Sequence, residues 1–321
     1  MDRFDNIPET ALNWFRDGTG AALATVVETW GSAPRRVGAQ LVVGGGGQIE
    51  GSVSGGCVEG AVIVEALEAI EDGKHRVLEF GVSDDDAFAV GLACGGTIRV
   101  LVEPVGAALP EAMLSELVEA RSGRESLAYE VNINSGARRI VRDGYANRLR
   151  MDRSGFEEDG ETFVAVHNPP LRLIVVGAVH IAQALVPMAQ IAGYDPAVID
   201  PRETFASEAR FPGVTLRHDW PDEAVEELGL DARTALVLLT HDPKLDDPAL
   251  IAALRSDVFY IGALGSTRTH AKRVERMKTE GMTDDDIARI HGPIGLDIGA
   301  AGPSEIAVAV LAQMTQVLRK G

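Results

Sequence analysis

"LRLIVVGAVHIAQALVPMAQIAG", residues 171–193, decides the fold. Its first six residues are Leu, Ile, Val and one Arg, with no polar alternation, as in a strand covered on both faces. Gly177 stops the run, and residues 180–193 then have a helical pattern, with a kink expected at Pro187. A buried strand that turns through glycine directly into a helix is the entry unit of a doubly wound α/β domain.

The turn is close to the dinucleotide fingerprint GxGxxG/A. Gly177 fills the first position and Ala182 the third, and Asp200 closes the next strand, where a ribose-binding acid is expected. The middle position holds Val179 instead of glycine. Its branched Cβ would obstruct a pyrophosphate and resist a positive φ. Two readings stay open: a Rossmann-like domain that binds a nucleotide, or one that has lost ordinary NAD binding. Asp200 reads equally as a turn or capping residue.

Ligands of such sheets bind outside the carboxyl ends of the strands. The polar residues expected there are His180, Asp200, Arg202, Thr240, His241, Asp242, Ser266, Arg268 and Asp297. In "THDPKLDD" the trio Thr240, His241 and Asp242 sits at a strand end, with a plain Asp-Pro turn as the alternative.

Downstream, "PAVIDP", "ALVLLTHD", "VFYIGALGS" and "GPIGLDIGA" are further apolar segments, and "SEIAVAVLAQMTQVLRK" is an amphipathic final helix with a basic end. Upstream, Asn168-Pro169-Pro170 cannot continue a helix or a central strand. We therefore divide the chain into domains 1–167 and 168–321. The first reads as mixed α/β: a strand at 21–30, a hairpin around Gly44–Gly47, a helix ending at Gly73, the strand "TIRVLVEP", a helix from Pro110 to about Arg121, and strands with polar turns over 126–166.

The 321 residues carry a net charge of −18, which disfavours nucleic acid and anionic membrane surfaces as partners. No apolar run is long enough for a membrane span, and the start is polar and acidic, so a cytoplasmic protein is expected. With two cysteines and no CxxC pair there is neither a disulfide framework nor a zinc motif. Asp84–Asp86 and Asp284–Asp286 read as solvated turns or helix starts, and no hydrolase triad or Walker loop is present.

One of the cysteines sits in "GSVSGGCVEG", residues 51–60. Gly55 and Gly56 let the backbone approach an anion, and Cys57 stands at the start of a predicted helix. Cys94, in "ACGG", precedes Gly95, so the two thiols are candidates to line one cleft. The alternative is that both are small buried hydrophobes. Ser32, Arg35 and Arg36, in "GSAPRRVGA", are candidate ligands for phosphate or a pterin edge. Glu59 reads as an acid of the first helical turn.

Taken together, "GSAPRRVGAQLVV", "GSVSGGCVE", "ACGGTIRVLVEP", "VVGAVHIAQAL", "THD", "YIGALGSTRT" and "PIGLDIGAAGPSEIAVAV" resemble the XdhC/CoxI family over almost the whole chain. The resemblance implies an XdhC-type domain followed by a Rossmann-like one. It also implies a maturation factor for molybdenum hydroxylases of the xanthine dehydrogenase type. Such a factor binds the molybdenum cofactor (molybdopterin, in mono- or dinucleotide form), protects it while a cysteine desulfurase supplies sulfur, and delivers it to the apo hydroxylase. It would be a cofactor-binding chaperone more than a turnover enzyme, and a homodimer is expected. The family usually has GAGH where this chain has Gly177-Ala178-Val179-His180. On this reading the cofactor-binding set is Ser32, Arg35, Arg36, Ser54, Gly55, Gly56, Cys57, Cys94, Gly95, Gly177, His180, Asp200, Thr240, His241 and Asp242. Cys57, a soft thiolate donor, would be the contact to molybdenum. The rival reading is an NAD(P)-dependent oxidoreductase using Gly177 and Asp200, with His180 or His241 as acid–base groups. A third is a scaffold that bridges partners without holding cofactor.

Overall fold

The computed structural model describes residues 6–31, 35–81 and 96–320. Ser32, Cys94, Gly95 and the run Asp84–Asp86 lie outside the described residues. The chain divides into two compact units, Met1–Pro169 and Pro170–Gly321. Among the described residues no helix is long and apolar enough to cross a membrane.

The first unit runs α1 (Ile7–Arg16), β1 (Ala21–Trp30), β2 (Gln40–Gly44), β3 (Ile49–Gly51), α2 (Glu59–Asp72), β4 (Arg76–Phe80), β5 (Thr97–Pro104), α3 (Glu111–Ser122), β6 (Leu127–Asn132), β7 (Arg138–Val141), α4 (Ala146–Met151), β8 (Gly155–Phe156) and β9 (Thr162–His167). Two antiparallel sheets form, in the orders β3-β2-β1-β5-β4 and β7-β6-β9-β8. β1 is apolar at nearly every position because both faces of its sheet are covered. Ala22, Ala24 and Val26 pack toward α2, while Ala21, Leu23 and Val27 join a core with α1, α3 and the second sheet. α2 stops at Gly73, whose φ of 74° gives the left-handed cap that glycine supplies without strain. The stretch 126–166, read from sequence as strands and turns, also contains the short helix α4, which buries no residue.

The second unit runs β10 (Leu171–Val176), α5 (His180–Ile191), β11 (Tyr194–Ile199), β12 (Thr215–Arg217), α6 (Pro221–Leu228), β13 (Thr234–Leu238), α7 (Pro243–Leu254), β14 (Tyr260–Ala263), α8 (Thr267–Thr279), α9 (Asp284–Ala288), β15 (Ile290–His291) and α10 (Pro303–Lys320). All six strands are parallel, in the order β12-β11-β10-β13-β14-β15. Counted within the unit this is 3-2-1-4-5-6, the Rossmann order, and the direction of winding reverses between β10 and β13. Leu171, Leu173 and Val175 of β10 face a core shared with α5 and α10. Ile174 and Val176 face the opposite core, built with α6, α7, α8 and α9. The unbroken apolar run in the sequence is therefore two interleaved faces of one buried strand. Pro187 stays inside α5, on its exposed side. "GPIGLDIGA" adds no strand: the sixth strand is the two residues before it, and the segment itself is irregular up to α10. Asp284–Asp286 form the first turn of α9, with Thr283 and Asp286 making a reciprocal capping box.

Candidate functional site

In the first unit the site is the loop between β3 and α2. Val53 and Val58, both fully buried, fix its two ends to the core under α2. Between them Gly55 and Gly56 take φ of 75° and 110°, conformations that side chains with a Cβ rarely adopt, so the turn depends on glycine at both. The loop wraps around the Glu59 carboxylate. Oε1 accepts from the Ser52 hydroxyl at 2.7 Å and from the amides of Val53 and Ser54 at 3.2 and 2.8 Å. Oε2 accepts from the Gly56 amide at 2.8 Å and from the Ser54 hydroxyl. The Gly55 amide donates to Ser52 Oγ at 2.9 Å and the Val58 amide to Ser54 Oγ, also at 2.9 Å. Burial works against the Glu59 charge, but the hydrogen bonds from Ser54 and Ser52 outweigh it and hold the carboxyl at about 2.

This corrects one part of the sequence reading. The glycine pattern points the amides of Ser54, Gly55 and Gly56 at an anionic ligand; they are turned instead on the protein's own carboxylate and on Ser52. Glu59 is more than a first-turn acid, since five donors converge on it. Cys57 stands on the outside of this frame, exposed, two residues before the first residue of α2. Arg35 is half-buried and its Nε donates to the Ser52 carbonyl at 3.2 Å, so it is brought to the same loop. Arg36 is exposed beside it in sequence.

In the second unit, Gly177, Asp200 and Thr240 meet at the reversal point. Gly177 has φ of 106°, and a Cβ there would lie 2.7 Å from Thr240 Cγ2. Val179 has φ of −91° in extended backbone and packs partly buried on the α5 core. The expected conflict with a positive φ therefore does not arise, because the turn takes its left-handed residue at Gly177. Asp200 is fully buried, and both its oxygens are engaged by Arg202 and the Ala178 amide. Burial opposes its ionisation, yet these donors keep its carboxyl below the usual range. It acts as a turn fastener, the second of the two roles left open for it. Thr240 donates to Asp246 Oδ1 at 2.6 Å and accepts from the Asp242 amide at 3.1 Å. Asp242 caps α7 by accepting from the Lys244 amide at 2.9 Å. His241 between them is exposed, with φ of 62°, a strained position for a residue with a Cβ. His180 is exposed at the first turn of α5, Ser266 caps α8, and Asp297 is exposed on the irregular segment before α10.

Sequence reasoning missed a buried polar group in the first unit. Glu103 accepts from Tyr129 Oη at 2.8 Å and from Arg138 Nε at 2.7 Å, and the His167 ring lies edge-on to Tyr129. The only signal was a charged residue inside "TIRVLVEP". Among the described residues, no three His, Cys, Asp or Glu side chains converge as a metal-binding set.

The comparisons with known proteins cover both units. The description of the XdhC Rossmann domain matches residues 173–314, and that of the XdhC and CoxI family matches residues 14–81. The molybdenum cofactor insertion chaperone PaoD of Escherichia coli is 32% identical over 307 residues, covering 96% of this chain and 86% of that protein. A protein of Bacillus subtilis named as a probable xanthine dehydrogenase component is 26% identical over 335 residues, covering 95% of each. A crystal structure described as a xanthine dehydrogenase from Bacillus halodurans superposes with a TM-score of 0.75 at 25% identity, covering 100% of this chain and 96% of that one. With an XdhC-type first unit followed by a Rossmann domain, and a relative at this identity over nearly its full length, the chain belongs to the XdhC and CoxI family.

Proposed function

We propose that this chain is a cytoplasmic maturation factor that carries molybdenum cofactor as cargo to an apo molybdenum hydroxylase of the xanthine dehydrogenase type. Cargo is held through Cys57 while a cysteine desulfurase supplies the terminal sulfur. The observation that carries the reading is the Glu59-centred loop, which presents an exposed thiol at the start of α2. The relative named as an insertion chaperone supports it. A thiolate is a soft donor suited to a thiophilic metal, and a single donor suits a cargo that arrives with its own organic ligand. Because the loop amides are taken, phosphate contacts in the first unit fall to side chains, Arg35 and Arg36 foremost. Ser32, Cys94 and Gly95 complete the proposed set. The protein needs no turnover of its own and works as a homodimer.

The test is molybdenum and pterin content of wild type and Cys57→Ala, purified anaerobically from a host that makes the cofactor. Stoichiometric cofactor in wild type, lost in the variant, is the expected result. If neither protein retains cofactor after direct titration, the carrier reading fails.

A further inference from the structure

The second unit contains a cationic hollow that the proposed set does not include. It lies between the start of α7 and the first three turns of α8, with a volume of about 230 Å³. Its walls include His241, Asp246, Arg268, Lys272, Arg273 and Arg276. Arg268, Lys272 and Arg276 recur every four residues and so share one face of α8. Like charges at that spacing oppose one another along a helix by roughly 0.2–0.5 kcal/mol per pair. In a protein of net charge −18 such a stripe calls for a counter-charge.

The described residues supply little of it. Arg276 is matched by Asp247 through two bonds, at 2.5 and 2.9 Å. Asp246 is buried, with Oδ1 taken by the Thr240 hydroxyl and Oδ2 still without a hydrogen bond. Its nearest cation is Arg273 Nη2, at 3.9 Å. No described carboxylate pairs with Arg268 or Lys272. Arg268, Lys272 and Arg273 against Asp246 leave a formal excess of two positive charges.

Arg273 is the decisive residue. It is only 2% exposed, and Nη2 donates to the Leu264 carbonyl at 2.9 Å. Nε and Nη1 are buried without any hydrogen-bond partner. A buried charged donor left unmade costs about 1–3 kcal/mol or more, so such an arrangement calls for an acceptor. The guanidinium lines the hollow, and its planar fork fits the paired oxygens of a phosphate. The N-terminus of α8, capped by Ser266, adds its positive end.

We propose that this hollow binds the phosphate group of a small anionic ligand, with Arg273 as the buried clamp and Arg268 and Lys272 as the entry cations. Pockets for whole drug-sized ligands run from about 300 to 1,000 Å³, so this volume fits a phosphate or diphosphate group and leaves the rest of its bearer outside. A phosphate carries about 1.5 to 2 negative charges at neutral pH, which matches the excess. The site is separate from the turn at Gly177 and stands whether or not the maturation reading holds.

The experiment is calorimetric titration of the full chain at low salt with inorganic pyrophosphate, and in a second arm with adenosine diphosphate. Wild type and the double variant Arg268→Ala/Lys272→Ala are compared; both side chains are exposed, so the fold is retained. Saturable binding, weakened about tenfold or more in the double variant and by added salt, is expected. A nucleotide that binds more tightly than pyrophosphate identifies a nucleotide as the bearer; equal affinity assigns recognition to the phosphate alone, as for a phosphorylated pterin. No saturable binding of either probe, or binding unchanged in the double variant, overturns the proposal. Arg273→Lys, which keeps charge but not the fork, is expected to lose affinity at unchanged thermal stability.

Discussion

The Asp200 carboxylate grips Arg202 with two prongs, Oδ1 to Nε at 2.8 Å and Oδ2 to Nη2 at 2.7 Å, while Oδ2 also accepts from the Ala178 amide at 2.9 Å. A ribose diol would have to displace a charged donor from the acid that normally receives it. We expect NAD and NADP to show no saturable binding below about 100 μM, a dissociation constant that corresponds to roughly 5.5 kcal/mol. A low-micromolar value from fluorescence or calorimetry would revive the oxidoreductase reading.

Glu59 sets up a second prediction. Its folded-state value of about 2 lies below the ordinary 4.5, so the stability it contributes is fully present above 4.5 and is lost as pH falls toward 2. Glu59→Gln puts an amide NH₂ among donors and is expected to lower unfolding free energy by about 2–3 kcal/mol at pH 7. Urea melts across pH should show the two proteins converging through that window. A constant gap down to pH 2 would contradict the assignment.

His167 gives the third. Burial first, and the nearby Arg121 second, push its imidazole down to about 3 from an ordinary 6.5. Between those values the unfolded chain holds a proton that the folded chain does not, so stability falls as the solution is acidified. One proton gives a slope of up to about 1.4 kcal/mol per pH unit. His167→Gln should flatten the dependence between pH 6 and 4 by that amount, and an unchanged slope counts against a neutral buried ring.

Gly177→Ala tests the reversal point. A Cβ would stand 2.7 Å from Thr240 Cγ2 and 3.1 Å from the Thr240 amide, on a backbone of φ 106°. Strain and overpacking together should lower stability by about 2–4 kcal/mol. Adding Thr240→Ser, which removes the Cγ2, should restore part of the thermal midpoint. Full recovery would mean that the backbone conformation contributes nothing.

The fold is open to sequence reading wherever one residue type has one physical use. Gly177 after six β-forming residues announces the crossover, and Gly73 ends α2. The interleaved faces of β10 can be read as a covered strand without knowing what covers it. The site is less legible because its roles depend on partners distant in space or on competing local bonds. Glu59 has the sequence signature of any first-turn acid, and nothing in it tells that five donors fold back onto it. Asp200 has the spacing of a ribose ligand, yet Arg202, two residues on, occupies it. Arg273 sits in "THAKRVERMKT", which reads as a solvated helix; only the packing of α8 against α7 singles out the one arginine drawn inside. Val179 looks obstructive only if the left-handed residue of the turn is placed there, and the turn puts it at Gly177.

The Glu59 carboxylate has a consequence for how cargo would be received. A nest of amides that waits for its anion must be ordered when the anion arrives, and the affinity is reduced by that ordering. Here the anion is covalently part of the chain, so the loop is already rigid when Cys57 meets a ligand. The thiol is thus preorganised: release of cargo to a client leaves the loop's hydrogen bonds intact, and the carrier returns to its starting geometry without refolding anything.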